Sequence, residues 1–231
     1  MKTVGIIGGL GPESTVDYYR LIISLWRERT QGVGYPSIII NSVDLDKALG
    51  MLYGNQLEAL AAYLSKEIQR LSDAGADFGL LAANTPHIVF DALSAASPIP
   101  LISIVEAACH AAGALGLRRP GLLGTRFTMQ GRFYSEPFRA AGMELVVPNH
   151  EEQEYIHDRY MKELIPGVFL SETRQSMAAV IERLIRQERI DGLVLAGTEL
   201  PLLLREAGDL GVPLLDTTRL HVEQVVERLL T

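Results

Sequence analysis

Two stretches of this chain, Ala83-Asn84-Thr85-Pro86-His87 and Gly197-Thr198-Glu199, set small and polar residues directly after apolar runs. The runs before them, Phe78 to Ala82 and Leu193 to Ala196, read as buried strands. In an open α/β sheet, ligands sit outside the carboxyl ends of the strands. Hydroxyls, an amide and backbone N–H groups at such ends suit a carboxylate or other small acid, because helix N-termini attract anions. Ser14, Thr125 and Thr128 stand at further strand-to-helix turns and would join them. Near the two stretches only His87 and Glu199 have pKa values suited to moving a proton. A threonine hydroxyl is a weak base unless a neighbour activates it. The plainer role for all these residues is helix capping, which every α/β protein requires.

Two other chemistries fit less well. Gly9-Leu10-Gly11-Pro12-Glu13-Ser14 is a dinucleotide-type glycine turn with serine at the last place, a weak signal by itself. The five histidines, His87, His110, His150, His157 and His221, include no pair at helical i, i+4 spacing, and no cysteine pair exists. No metal site is expected from them, and His87 is placed to cap its own turn. A net charge of −7 without a basic block argues against nucleic acid or an anionic membrane as partner. No apolar run reaches the ~18 residues of a membrane span. A single cysteine, Cys109, and a chain that enters a strand at Thr3 without a signal-peptide pattern point to the cytoplasm.

Elements of an α/β fold must position these turns. Thr3 to Ile7 is a strand, Gly8-Gly9-Leu10-Gly11 the turn out of it, and Pro12 opens a helix. Ser37 to Ser42 is a second strand emptying into a loop, Val43 to Lys47. Asn55 is expected to cap an amphipathic helix through Leu60, Leu64, Ile68 and Leu71 that Gly75 ends. The later half repeats the scheme. Strands are expected at Gly121 to Leu123, Glu144 to Val147, the Leu193 run and Pro213 to Leu215. Between them lie a charged helix, Glu151 to Leu164, a helix capped by Ser171, and a final helix capped by Thr217 or Thr218.

Gly5-Ile6-Ile7-Gly8 recurs as Gly121-Leu122-Leu123-Gly124, an offset of 116, and Ala83-Asn84-Thr85 aligns with Gly197-Thr198-Glu199 at 114. Ile99-Pro100-Leu101 and Val212-Pro213-Leu214 follow at 113, close to half of 231 residues. Short strand–helix–strand connections mean right-handed crossovers and parallel sheets. The expected architecture is two α/β lobes related by pseudo-twofold duplication with a cleft between them. One lobe comprises residues 1–99 plus 212–231 and the other 100–211, with hinges near Pro98 and Gly211. Gly8, Gly9, Leu10, Asn84, Thr85, Thr125, Thr128, Thr198 and Glu199 are expected to converge on that cleft. Lys47 or Arg126 would add a positive charge there.

Gly-Gly-Leu-Gly-Pro-Glu-Ser-Thr at 8–15, Asn-Thr-Pro-His at 84–87, Leu-Gly-Thr-Arg-Phe-Thr-Met at 123–129 and Thr-Glu-Leu-Pro-Leu-Leu at 198–203 resemble the aspartate/glutamate racemase family. That family stands beside hydantoin racemases, maleate isomerases and arylmalonate decarboxylases. The resemblance covers essentially the whole chain. It implies two Rossmann-like lobes, a site between them, a homodimer, and isomerase chemistry on a small acidic amino acid without PLP or another cofactor. It also implies that Lys47 meets the distal carboxylate of the substrate. Thiol-bearing members carry a cysteine before Asn-Thr and another before Thr-Glu, one to remove the Cα proton and one to return it. Here those positions are Ala83 and Gly197, and neither side chain can hold a proton. Two readings stay open: an enzyme of the superfamily with other acid–base groups (a lyase or decarboxylase type included), or a non-catalytic binder of a small amino or dicarboxylic acid.

Overall fold

The computed structural model describes residues 2–204 and 210–231. The chain divides into two compact units, Met1–Ile104 with His221–Thr231, and Val105–Leu220. In the first unit, β1 (Thr3–Gly8) leads into α1 (Pro12–Arg29), then β2 (Ser37–Ser42), α2 (Leu45–Tyr53) and α3 (Leu57–Asp73). β3 (Phe78–Leu81), a 3-10 turn (Thr85–Val89), α4 (Phe90–Ala96) and β4 (Leu101–Ile102) follow. The strands make one parallel sheet in the order β2-β1-β3-β4. Consecutive apolar residues in β1 and β3 are buried on both faces, as parallel strands require. Val4, Ile6, Phe78 and Leu80 share a core with Tyr18, Ile22 and Trp26 of α1 and with Val222, Val225 and Leu229 near the chain's end.

The second unit takes up α5 (Ile104–Ala114) and β5 (Gly121–Gly124), then α6 (Arg126–Gln130) and α7 (Arg132–Ala140). Next come α8 (His150–Arg159), a π-helical turn (Tyr160–Leu164), α9 (Ser171–Arg183) and a second π-helical turn (Leu184–Glu188). β6 (Leu193–Ala196), α10 (Leu200–Leu204), β7 (Leu214–Asp216) and α11 (Thr217–Leu230) complete the chain, α11 passing into the first unit from His221. The sheet is parallel, β5-β6-β7. Val146 bridges to Gly121 on the free side of β5, where β2 stands beside β1 in the first unit. The two sheets therefore share one connectivity, with β1, β3 and β4 answering to β5, β6 and β7. Among the described residues no helix is long and apolar enough to cross a membrane.

Several local expectations need correction. Asp44 caps a helix by accepting the Lys47 N–H at 3.1 Å, so Lys47 lies on α2 and not in a loop. Asn55 takes a left-handed φ of 52° and does not cap α3, whose N-cap is Gln56. Glu144 to Val147 makes a lone bridge in place of a strand. The helix expected through Glu151 to Leu164 widens into a π turn at Tyr160. Ser171 is the first residue of α9 and Leu170 its cap. Asp216, not Thr217 or Thr218, caps α11, its Oδ1 accepting from the N–H groups of Thr218 and Arg219.

Candidate functional site

In the first unit, three backbone turns meet at the carboxyl ends of β1, β2 and β3. The ladder continues past the strands: Val43 N–H donates to Gly8 O and Ala82 N–H to Ile7 O, each at 2.9 Å. Ser14, in the first turn of α1, donates its hydroxyl to Ala82 O at 2.9 Å and ties the glycine turn to the end of β3. Gly9 has φ +79°, and a Cβ there would stand 2.3 Å from Val43 O. Gly9→Ala therefore meets both the left-handed cost and a backbone clash, an expected loss of about 3 kcal/mol in urea unfolding. Gly11 caps α1 without a side-chain hydrogen bond. That helix start presents N–H groups and the positive end of the helix dipole beside the turn.

Asn84 is buried and Thr85, half-buried, opens the 3-10 turn. Ala83 is buried too, at 7% exposure. His87 is committed to the scaffold. Its Nδ1–H donates to Ala83 O at 3.0 Å, and its Nε2 accepts from Ile104 N–H at 3.3 Å. The ring stacks on Phe90, with His221 6.3 Å away. Burial, and then the neighbouring His221, push its pKa down to about 3. With both ring nitrogens bonded and its pKa held low by burial, His87 holds the turn. Lys47 is exposed, its Nζ 4.4 Å from the centre of the Tyr63 ring.

In the second unit, Thr125 caps α6, its Oγ1 accepting from Thr128 N–H at 3.4 Å and lying 3.2 Å from Thr128 Oγ1. Arg126 does not offer an unmatched charge: its guanidinium meets Glu154 at 3.0 Å. At the end of β6, the Thr217 hydroxyl donates to Leu195 O at 2.8 Å and anchors α11 to the strand. Glu199 is 2% exposed, and its Oε2 accepts hydrogen bonds from Thr198 Oγ1 at 2.8 Å and from the Tyr160 hydroxyl. Burial, and next the charge of Glu199, hold the Tyr160 phenol well above its ordinary pKa.

Tyr160 is the residue that sequence reasoning missed. It reads as one more position of a charged helix, and nothing local ties it to Gly197. The only hint in the sequence was Gly197 itself, since a glycine at a strand end can mark the close approach of another group; in the structure its φ is not positive. Cys109 lies elsewhere, on α5, with Sγ 3.7 Å from Pro137 O. Burial, followed by Glu106, pushes its thiol pKa up, the opposite of an activated nucleophile.

Comparison with known proteins extends these observations to the whole chain. A protein from Yersinia pestis assigned as an Asp/Glu racemase has a crystal structure that superposes with a TM-score of 0.90 at 31% identity, over 100% of both chains. PH1733 from Pyrococcus horikoshii OT3, an aspartate racemase homologue, gives 0.85 at 35% identity, again over 100% of each. The broad specificity amino-acid racemase RacX of Bacillus subtilis (strain 168) is 25% identical over 157 residues, 65% of this chain and 66% of that one. The family model for Asp/Glu/Hydantoin racemase matches residues 7–225, a span running from β1 into α11 and holding every turn described above. With one connectivity repeated in two parallel sheets and this match along nearly its full length, the chain belongs to the Asp/Glu/Hydantoin racemase family.

Proposed function

We propose that this chain recognises a small acidic amino acid and acts at its Cα by a route other than the two-thiol one, without PLP. One observation carries the reading: the only cysteine is Cys109, fixed on α5 against Pro137, while the strand-end turns are built from glycine, serine, threonine and asparagine. The turns supply what an anion needs, an uncapped start of α1 and hydroxyls at 85, 125, 128 and 198. They lack what two-face proton transfer needs, since Ala83 and Gly197 stand where the resemblance puts the two thiols. Gly9, Leu10, Asn84 and Thr85 in the first unit, and Thr125, Thr128 and Thr198 in the second, are the proposed binding residues. Glu199 is the proposed acid–base group. Because Ala83 carries no proton, a pure binder of the same acid is the second reading. The resemblance also implies a homodimer, which light scattering of the purified protein tests.

Purified protein is incubated with L- and D-Asp and L- and D-Glu in heavy water, with thermal shift measured alongside. Stabilisation by an acidic amino acid together with deuterium at Cα supports the enzyme. Stabilisation without exchange supports the binder, and no stabilisation by any of the four sinks both. Lys47 provides a sharper check on the substrate class. If it meets the distal carboxylate, Lys47→Met weakens binding of Asp and Glu about tenfold, the size of one charge-assisted hydrogen bond, and leaves Ala binding unchanged. Equal affinity of the wild-type protein for neutral and acidic amino acids would remove the anion from the proposal.

A further inference from the structure

Gly197 follows β6, and the space that a side chain there would take is already filled. A Cβ on Gly197 would meet Tyr160 Cε2 at 2.6 Å, Oη at 2.7 Å and Cζ at 3.0 Å. The ring reaches this place from the first residue of a π-helical turn, where the helix widens after Arg159. Such turns recur at functional sites because they re-aim a side chain that a regular helix would point elsewhere. The phenol ends on Glu199, and Thr198 donates to the same carboxylate oxygen. Tyr160 is 4% exposed and Thr198 6%, so a carboxylate, a phenol and a hydroxyl share one desolvated pool of exchangeable protons.

We propose that Tyr160 and Glu199 form a proton relay that stands in for the side chain missing at position 197. The relay rests on the reading above, that the chain acts on the Cα of an acidic amino acid. In the forward step the Tyr160 oxygen takes the Cα proton while its own proton passes to the Glu199 carboxylate. The electron pair of the C–H bond stays on the substrate, delocalised into its carboxylate, and Glu199 becomes a carboxylic acid. In the return step Glu199 gives a proton back to the Tyr160 oxygen as Tyr160 protonates Cα on the same face. Deuterium reaches Cα when the protons held along Tyr160, Glu199 and Thr198, joined on one carboxylate oxygen, trade with solvent deuterons before the return step. A free phenolate never forms, which suits a phenol whose pKa is held high. Ala83 offers no acid for the opposite face, so the relay exchanges the Cα proton without inverting the centre. Glycine at 197 follows from this arrangement, since any larger residue would expel the ring.

The test compares the wild-type chain with Tyr160→Phe and Glu199→Gln, following Cα deuteration of each enantiomer of Asp and Glu by NMR and binding by calorimetry. The wild-type protein is expected to deuterate one enantiomer and to produce none of the other. Tyr160→Phe is expected to keep binding and lose about 100-fold or more of the exchange rate, the usual share of a positioned acid–base group. Glu199→Gln, which keeps an oxygen for both hydroxyls and so guards against misfolding, is expected to lose as much. Exchange that survives in either folded variant overturns the relay, as does interconversion of enantiomers by the wild-type protein. Binding without wild-type exchange also overturns it while leaving the binder standing, whereas failure to bind any of the four acids refutes the proposed function itself.

Discussion

A cysteine introduced at position 197 is expected to unsettle the protein before it adds any chemistry. Its Cβ would sit 2.6 and 3.0 Å from two Tyr160 ring carbons and 2.7 Å from the hydroxyl oxygen, closer than real Cβ contacts normally come. Forcing an extra group into a well-packed place costs about 1–3 kcal/mol. Moving the ring also takes the Tyr160 hydroxyl from the buried Glu199, whose Oε2 keeps the Thr198 hydroxyl, and the one lost hydrogen bond costs about 1 kcal/mol more. Gly197→Cys alone should therefore lower the melting temperature by about 10 °C. Combined with Tyr160→Ala, the loss should be smaller than the sum of the two single losses, because the ring is what the new side chain displaces. A single Gly197→Cys variant as stable as the parent would mean that Tyr160 does not hold that space.

The same geometry decides how a two-thiol racemase would have to be rebuilt. Ala83→Cys with Gly197→Cys is not enough, since the second thiol has no room until Tyr160 is cut back. The triple change Ala83→Cys, Gly197→Cys, Tyr160→Ala is expected to interconvert L- and D-Asp or Glu, and either cysteine alone to do far less. Inversion needs a base on one face and an acid on the other, so the two act as a unit. A folded triple variant that binds Asp or Glu and exchanges no Cα proton would show that positions 83 and 197 are not the proton-transfer positions.

How far the sequence reveals this protein depends on whether the deciding interaction is local. The runs Thr3–Gly8, Phe78–Leu81 and Leu193–Ala196 are buried on both faces, and unbroken apolar runs announce that. α3 announces itself by spacing, with Leu60, Leu64, Ile68 and Leu71 all buried. Where two readings of one polar residue compete, the fold chooses. Asp44 could be a loop aspartate or a cap, and its bond to Lys47 N–H makes it the cap of α2. Thr217 could cap α11, but Leu195 O takes its hydroxyl, and Asp216 takes the cap. Glu144 to Val147 is apolar and β-branched enough to read as a strand, yet Pro148 has no N–H to extend the ladder beyond the bridge at Val146. The site divides the same way. The strand-end turns that carry Ser14, Asn84, Thr125 and Glu199 are legible from the apolar runs before them. Tyr160 is 37 residues from Gly197, and that pairing exists only through packing.

Acid should unfold the first unit well before its carboxylates protonate, because two histidines are buried there without charge. His221 Nε2–H donates to Ile102 O at 2.9 Å, and its Nδ1 accepts from the Tyr18 hydroxyl at 2.8 Å. Burial depresses its pKa to about 4, beside His87 at about 3. Both values lie below the ~6.5 of an unfolded histidine, so between them the unfolded chain binds more protons than the folded one. Stability is therefore level above pH ~6.5 and falls as pH drops toward 4, by about 1.4 kcal/mol per pH unit for each histidine. By pH ~4.5 the two together remove about 5 kcal/mol, comparable with the whole stability of many domains. Trp26, the only tryptophan, lies in the core cluster that holds Tyr18 and Val222, so its fluorescence reports this unit. Urea midpoints followed at Trp26 should drop steeply from pH 7 to 4.5. His221→Gln keeps a donor for Ile102 and an acceptor for Tyr18, and should flatten that dependence by about half. A midpoint that ignores pH across this range, or a slope that persists in the double variant with His87→Gln, would place the acid sensitivity elsewhere.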